Sequence, residues 1–242
     1  MKHMKIYTAI LLICMTANVF AAKKGDNTLT KEEKKSGWTL IFDGKTANGW
    51  RGYTKTGMPE KGWDVVDGTL HCQANGGGGD LIFDTKLTNF ELSLSWKISE
   101  GGNSGIFIYG KEVEGKPIYY SAPEYQLLDD ERHGDAKAGK DGNHKSGSLY
   151  DMIPAVPQNA HPALQWNEAR IVSKDSNLEF WQNGVKVVEF QMANDGWKKL
   201  CAASKFKDWA DFVNNPAKDG FIGLQDHGNE IWFKDIKLKV LK

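Results

Sequence analysis

An all-β fold, two antiparallel sheets packed face to face, is what this sequence predicts, and three observations carry the prediction. Ten or more short runs rich in β-branched and aromatic residues recur along the chain, a pattern that alternating α/β folds do not produce. Asp67-Gly68 and Asn183-Gly184 each separate two such runs with the residues that tight hairpin turns require. Phe90 to Ile98 alternates apolar and polar side chains over nine positions, which asks for one face in a core and the other in water.

Taken in order, Trp38 to Phe42 reads as a first strand ended by Asp43-Gly44. The hairpin 63–66 and 69–72 follows, then Leu81 to Phe83, the alternating run 90–98, Gly105 to Tyr109 and Glu124 to Leu128. Trp166 to Val172, Asn177 to Trp181 and Val185 to Phe190 form the next group, and Phe221 to Gln225 and Ile231 to Val240 close the chain. A small helix is expected over 205–212, with Trp209 and Phe212 on one face. Of the tryptophans, Trp96, Trp181 and Trp232 lie inside strand runs and are expected in the core. Trp50, Trp63, Trp166, Trp197 and Trp209 lie nearer turns, where one or two could stack on sugar rings.

The chain has room for one sizeable core. Its 31 basic and 31 acidic side chains balance, which argues against a general nucleic-acid binder. Residues 1–21 carry Lys2 and Lys5, then an apolar stretch from Ile6 to Met15, then small residues with Val19 and Ala21 at the −3 and −1 positions. This is the layout of a secretory signal, and the expected location is exported and periplasmic. Cys14, after Leu11-Leu12-Ile13, makes a lipid anchor the alternative. The apolar run is too short to span a bilayer, so no transmembrane anchor is expected. Residues 22–36 read as a mobile polar leader, or at most a short surface helix near Thr30 to Lys35, and 37–242 as one folded domain. Cys72 and Cys201 permit one disulfide in an oxidising compartment, and two buried thiols are the equal alternative.

Several side chains could carry chemistry. On a regular strand Glu124 and Gln126 share a face, and a bend could bring Asp129 toward the same cleft; the alternative is a solvated strand edge. Gln225-Asp226-His227-Gly228-Asn229 puts a histidine beside a tight return, as a proton carrier or as a polar hairpin end. His133, His144 and His161 with the nearby acids match neither helical zinc nor calcium-loop spacing. Gly76 to Gly79 lacks the lysine and helix of a phosphate loop and reads as a flexible crossing.

One ordered set of motifs is specific as a whole: Gly37-Trp38-Thr39-Leu40-Ile41-Phe42-Asp43-Gly44, Asn103-Ser104-Gly105-Ile106-Phe107, Glu124-Tyr125-Gln126-Leu127-Leu128-Asp129, Gly147-Ser148-Leu149-Tyr150-Asp151, Trp166-Asn167, Asn183-Gly184 and Gly223 to Gly228. Over about residues 37–242 it resembles the 3-keto-disaccharide hydrolase family, also described as 3-keto-glucoside lyase and 3-keto-2-hydroxyglucal hydratase. The resemblance implies a concanavalin A-like jelly roll and a substrate oxidised at sugar C3, hence a separate sugar-oxidising enzyme upstream. A C3 ketone acidifies the C2 hydrogen; removing it expels the oxygen on C1, and hydration of the product makes the sum a hydrolysis. The residues implied are Glu124 and His227 as acid and base, and Asp129 as an orienting group. Asn103, Gln126 and Gln225 would contact sugar oxygens. A divalent metal held by Glu124, Asp129 and His227 would suit the enolate. Family members often carry arginine where this chain has Tyr109 and Lys234, and both are retained as substrate contacts. The rivals are a non-catalytic carbohydrate-binding module and a glycosidase working through Glu124 and Asp129.

Overall fold

The computed structural model describes residues 25–242, so the export signal expected over 1–21 and Cys14 lie outside the described residues. The elements run α1 (Lys31–Lys35), β1 (Thr39–Leu40), β2 (Trp50–Gly52), β3 (Trp63–Val66), β4 (Thr69–Cys72), β5 (Leu81–Phe83), β6 (Phe90–Ile98) and β7 (Asn103–Gly110). They continue with β8 (Glu124–Leu128), β9 (Asn167–Lys174), β10 (Asn177–Gln182), β11 (Val185–Gln191), α2 (Asp195–Ala202), α3 (Ala210–Asn214), β12 (Phe221–Leu224) and β13 (Ile231–Val240). The strand expected at 38–42 shrinks to two residues, and β2 was not anticipated. The helix expected over 205–212 forms later, as α3, behind an unforeseen α2. That helix starts where the Asn194 side chain accepts the Trp197 N–H at 2.8 Å, and it buries Trp197 and Cys201 one turn apart.

Two antiparallel sheets form a jelly-roll sandwich. The larger has the order β11-β10-β9-β6-β13-β4-β3, with β1 added on β13; the smaller has the order β2-β5-β12-β7-β8. Leu92, Leu94 and Trp96 of β6 and Phe233 of β13 meet Ile106, Ile108, Tyr125, Leu127, Ile222 and Leu224 of the smaller sheet in one core. The larger sheet has a wet outer face: β6 alternates buried and half-buried residues along its whole length. The strands β7, β8 and β12 are instead buried on both faces. Something covers the outer side of the smaller sheet, and that cover makes the site described below.

Two bulges re-aim side chains. In β7 the pairing with β12 shifts by one residue, and Tyr109 takes a φ of +60°. Alternation would put Tyr109 beside Asn103 and Gly105 on the outer face. The bulge turns it into the core, edge-on to Phe90, where its hydroxyl meets Thr88 O and Ser173 Oγ. In β13 the register shifts between Lys234 and Lys237, with Asp235 at a φ of +55°. Asn27 fills that irregularity: its N–H donates to Asp235 Oδ1 at 2.6 Å, its Oδ1 accepts the Asp235 N–H at 2.9 Å, and its amide nitrogen donates to Gly68 O at 2.8 Å.

Residues 25–36 are therefore tied to the sandwich, and the acids that made them look like a solvated leader are what dock them. Asp26 pairs with Lys234 at 2.7 Å, and Glu33 pairs with Lys237. Helix α1 is closed by a reciprocal capping box between Thr30 and Glu33. Cys72 and Cys201 are both buried and free. Trp96 is in the core as expected, but Trp181 and Trp232 lie on the outer face of the larger sheet, since Phe180, Ile231 and Phe233 take the inward positions. Arg170 covers the Trp181 ring at 4.8 Å and Lys97 the Trp232 ring at 4.5 Å. Trp50, Trp63 and Trp197 are buried and Trp166 is half-buried beneath Lys97 and Lys234 of the larger sheet, which leaves Trp209 on the rim of the site.

Candidate active site

On the outer face of the smaller sheet, Asn103, Glu124, Gln126, Gln225 and His227 line one pocket of about 310 Å³. Strand pairing brings them together: Gly105 lies opposite Gln126 and Phe107 opposite Glu124, while β12 runs along the other side of β7 and delivers Gln225 at its end. A Cβ at 105 would sit 2.1 Å from Glu124 Oε1, so any larger residue there displaces that carboxyl. The Asn-Ser-Gly motif thus makes room for the carboxyl of the next strand. The Gln126 amide, in the orientation that satisfies its neighbours, donates to Glu124 Oε1 at 3.2 Å and to Ser104 O at 3.1 Å.

Burial pushes the Glu124 carboxyl up to about 8, with Lys205 opposing and Asp80 and Asp135 adding to the rise. A carboxyl so placed keeps its proton at neutral pH and has one to give. His227 moves the other way: burial, then the neighbouring His133, lower it below its usual value, so a neutral ring is favoured. The loop carrying His227 is held by Asp226, whose N–H donates to Asp80 Oδ1 at 2.9 Å and whose carboxylate accepts the N–H groups of Gly79 and Gly228, both at 3.0 Å. The side-chain oxygen of Gln225 is buried with no hydrogen-bond partner. A buried acceptor in a pocket wall is satisfied by a donor from whatever fills the pocket.

The walls come from segments outside the strands, in which Trp209 was among the rings expected to stack on a sugar and Lys205 and Phe206 were not assigned to a site. Tyr150, Lys205, Phe206, Trp209, Tyr119 and Ala122 complete the lining. Trp209 stacks on Tyr119 with ring centroids 6.1 Å apart and meets the Phe206 edge at 5.1 Å, making an aromatic lip over a polar floor. Behind it, the His144 ring bridges Asp135 Oδ1 at 2.8 Å and Asp151 Oδ1 at 2.7 Å, and the Tyr150 hydroxyl donates to Asp135 Oδ2 at 2.9 Å. With its proton committed to Asp135, the Tyr150 hydroxyl faces a ligand as an acceptor. For Tyr150 the one available signal was Gly147-Ser148-Leu149-Tyr150-Asp151, whose chemistry depends on partners distant in sequence.

Three expected site residues are elsewhere. Asp129 is buried at the turn into β7, where burial favours its protonated form but the Gly101 N–H at 2.7 Å, the Glu131 N–H and Arg132 outweigh it and hold the carboxyl below its ordinary value. Its oxygens are consumed in holding that turn. Tyr109 is in the core for the reason given above. Lys234 is on the outer face of the opposite sheet, 4.5 Å from the Trp166 ring centroid. The donor set imagined for a divalent metal therefore does not assemble: Asp129 does not line the pocket with Glu124 and His227. Among the described residues no group of three or more His, Cys, Asp or Glu side chains is placed to hold a metal ion.

The chain is 48% identical over 229 residues to a 3-keto-disaccharide hydrolase of Bacteroides thetaiotaomicron, covering 85% of this chain and 79% of that protein. Two crystal structures of Parabacteroides distasonis proteins, described as candidate glycosyl hydrolases, share the fold. One has a TM-score of 0.80 and 32% identity, covering 90% of this chain and all of that one. The other has a TM-score of 0.67 and 26% identity, covering 84% and 99%. Residues 37–239 match the model of the 3-keto-alpha-glucoside-1,2-lyase-like domain, and with the relative at 48% identity this places the chain in that family.

Proposed function

We propose that the protein cleaves 3-keto-glycosides, 3-keto-disaccharides among them, by elimination across C1–C2 followed by hydration. The observation that carries this reading is the convergence of Glu124 and His227, whose environments push their proton affinities apart, on one pocket of a chain in this family. His227, neutral and facing the bound ring, takes the C2 proton. Glu124, protonated beneath it, gives its proton to the departing C1 oxygen. Asn103, Gln126 and Gln225 hold sugar oxygens, and Tyr150 accepts from a hydroxyl.

A glycosidase working through two carboxylates lacks support here. Among the described residues lining the pocket Glu124 is the one acid, and Asp129 serves a backbone turn. A binding-only module has no need of a buried carboxyl held protonated beside a neutral imidazole. The substrate must first be oxidised at C3, so a separate sugar-oxidising enzyme acts upstream. Export to the periplasm is part of the proposal and rests on residues 1–21; among the described residues no helix is long and apolar enough to cross a membrane.

The deciding experiment offers a 3-keto-glycoside and its unoxidised parent to the protein, with and without chelator. Cleavage confined to the oxidised member is expected, unchanged by chelator. Equal or greater cleavage of the parent sinks the reading, and glycan binding without turnover of either supports the module.

A further inference from the structure

Elimination from a 3-keto sugar places negative charge on the C3 oxygen, and neither Glu124 nor His227 can meet it while moving protons. We infer that Lys205 supplies the positive charge that meets this oxygen; the inference rests on the 3-keto reading above. Among the described residues lining the pocket, Lys205 is the one permanent cation. It lies on the segment between α2 and α3, far in sequence from the strands that make the floor.

Its surroundings hold the ammonium in place without neutralising it. The Lys205 backbone N–H donates to Asp151 Oδ2 at 2.6 Å, and its Nζ is 4.1 Å from the centroid of the Tyr150 ring. Besides Glu124, on whose carboxyl Lys205 acts across the pocket, Asp135 and Asp151 are the neighbouring acids that could have paired with it. Both are engaged by His144, and Asp135 also accepts the Tyr150 hydroxyl. Among the described residues Lys205 Nζ has no ion pair. Tyr150, Asp135, His144, Asp151 and the Lys205 backbone thus form a closed run of contacts. That run fixes a lysine at the mouth and turns the nearby carboxylates away from it. Of the three amides that line the pocket, Gln126 is directed at Glu124 and Ser104, and those of Asn103 and Gln225 carry no net charge to set against an enolate.

The electron accounting is complete with the groups present. The C2–H bond breaks, its proton passes to His227, its electron pair becomes the C2=C3 bond, and the carbonyl pair moves to the C3 oxygen beside the Lys205 ammonium. When the C3 carbonyl re-forms, the C2 pair shifts to C1=C2, the C1–O bond breaks, and the departing oxygen takes the Glu124 proton. Lys205 gains and loses nothing; it holds charge between the two halves.

The test uses the full-length mature protein, K205M and K205R, and two 3-keto compounds. One is a cleavable 3-keto-glycoside; the other carries hydrogen in place of the glycosidic oxygen at C1, so it can lose the C2 proton but has no glycosidic leaving group to expel. Exchange of its C2 hydrogen in D2O, followed by NMR, reads enolate formation alone. For K205M, both kcat for cleavage and the exchange rate should fall roughly 100-fold or more, with KM within a few-fold and the melting temperature unchanged. K205R should recover part of both rates. Wild-type exchange in K205M, or a loss confined to KM, overturns the assignment while leaving the reaction standing. A reduced adduct on Lys205 after borohydride treatment with substrate overturns it too, because the lysine would then act covalently. Wild-type protein that neither cleaves nor exchanges the 3-keto compounds overturns the reading of the site and the assignment with it.

Discussion

Glu124 shows at the scale of one residue how stability and chemistry oppose each other. Burial raises its carboxyl from an ordinary 4.5 to about 8, so the folded chain holds that proton more tightly than the unfolded chain does. The stability this group contributes is full below about 4.5 and is lost as the pH rises through about 8. E124Q should therefore melt higher than wild type at pH 8, with the gap closing toward pH 4 in a calorimetric series. The same substitution should lower turnover roughly 100-fold or more. In the wild type, activity should rise as His227 loses its proton, below the usual histidine range, and fall as Glu124 loses its own near 8. Loss of the upper limb in E124Q checks the assignment, and an upper limb that persists contradicts it. Gly105 makes a second, independent probe. G105A would thrust a methyl group against the Glu124 carboxyl, at a cost of about 1–3 kcal/mol in denaturant melts. Activity should fall with it, because the group that must move is the acid itself.

At the scale of elements, the aromatic lip decides how tightly a ligand is held. Trp209 carries Tyr119 and Phe206, so W209A should raise KM about tenfold, equivalent to about 1.4 kcal/mol, and leave kcat within a few-fold in steady-state assays. A matching loss of kcat would mean that the lip also positions the reacting atoms. The lip and the bulges also explain what the sequence could and could not disclose. Strand β6 was legible because one of its faces meets water, so its residues must alternate. Glu124 and Gln126 were legible as neighbours because a strand repeats every two residues, although β8 is buried on both faces. Tyr109 was misplaced because alternation holds only until a bulge, and a non-glycine residue at positive φ leaves no compositional mark. Lys205 and Phe206 reach the pocket through tertiary packing of a segment whose local pattern suggests a helix, with Trp209 alone in it marked as a ring for a sugar. Asp129 was misjudged because a carboxylate beside a site and a carboxylate holding a turn have the same sequence; only the N–H groups of Gly101 and Glu131 separate them.

For the whole molecule, the sandwich divides its labour between faces. The smaller sheet carries the pocket on its outer side, and the larger carries the docked segment 25–36 along β13. N27A, which removes the side-chain hydrogen bonds to the Asp235 N–H in the β13 bulge and to Gly68 O in the β3–β4 turn, should cost about 1–3 kcal/mol of stability in chemical denaturation with kcat unchanged. A loss of activity at constant stability would show that the two faces communicate. Because that segment crosses the sheet remote from Glu124, a protein grafted to a bead through an anchor placed within residues 25–36 would turn its mouth toward the bulk liquid. Long chains in suspension would then reach it as readily as small solutes. Grafting through surface amines in the 203–212 stretch would do the reverse and close off the entrance.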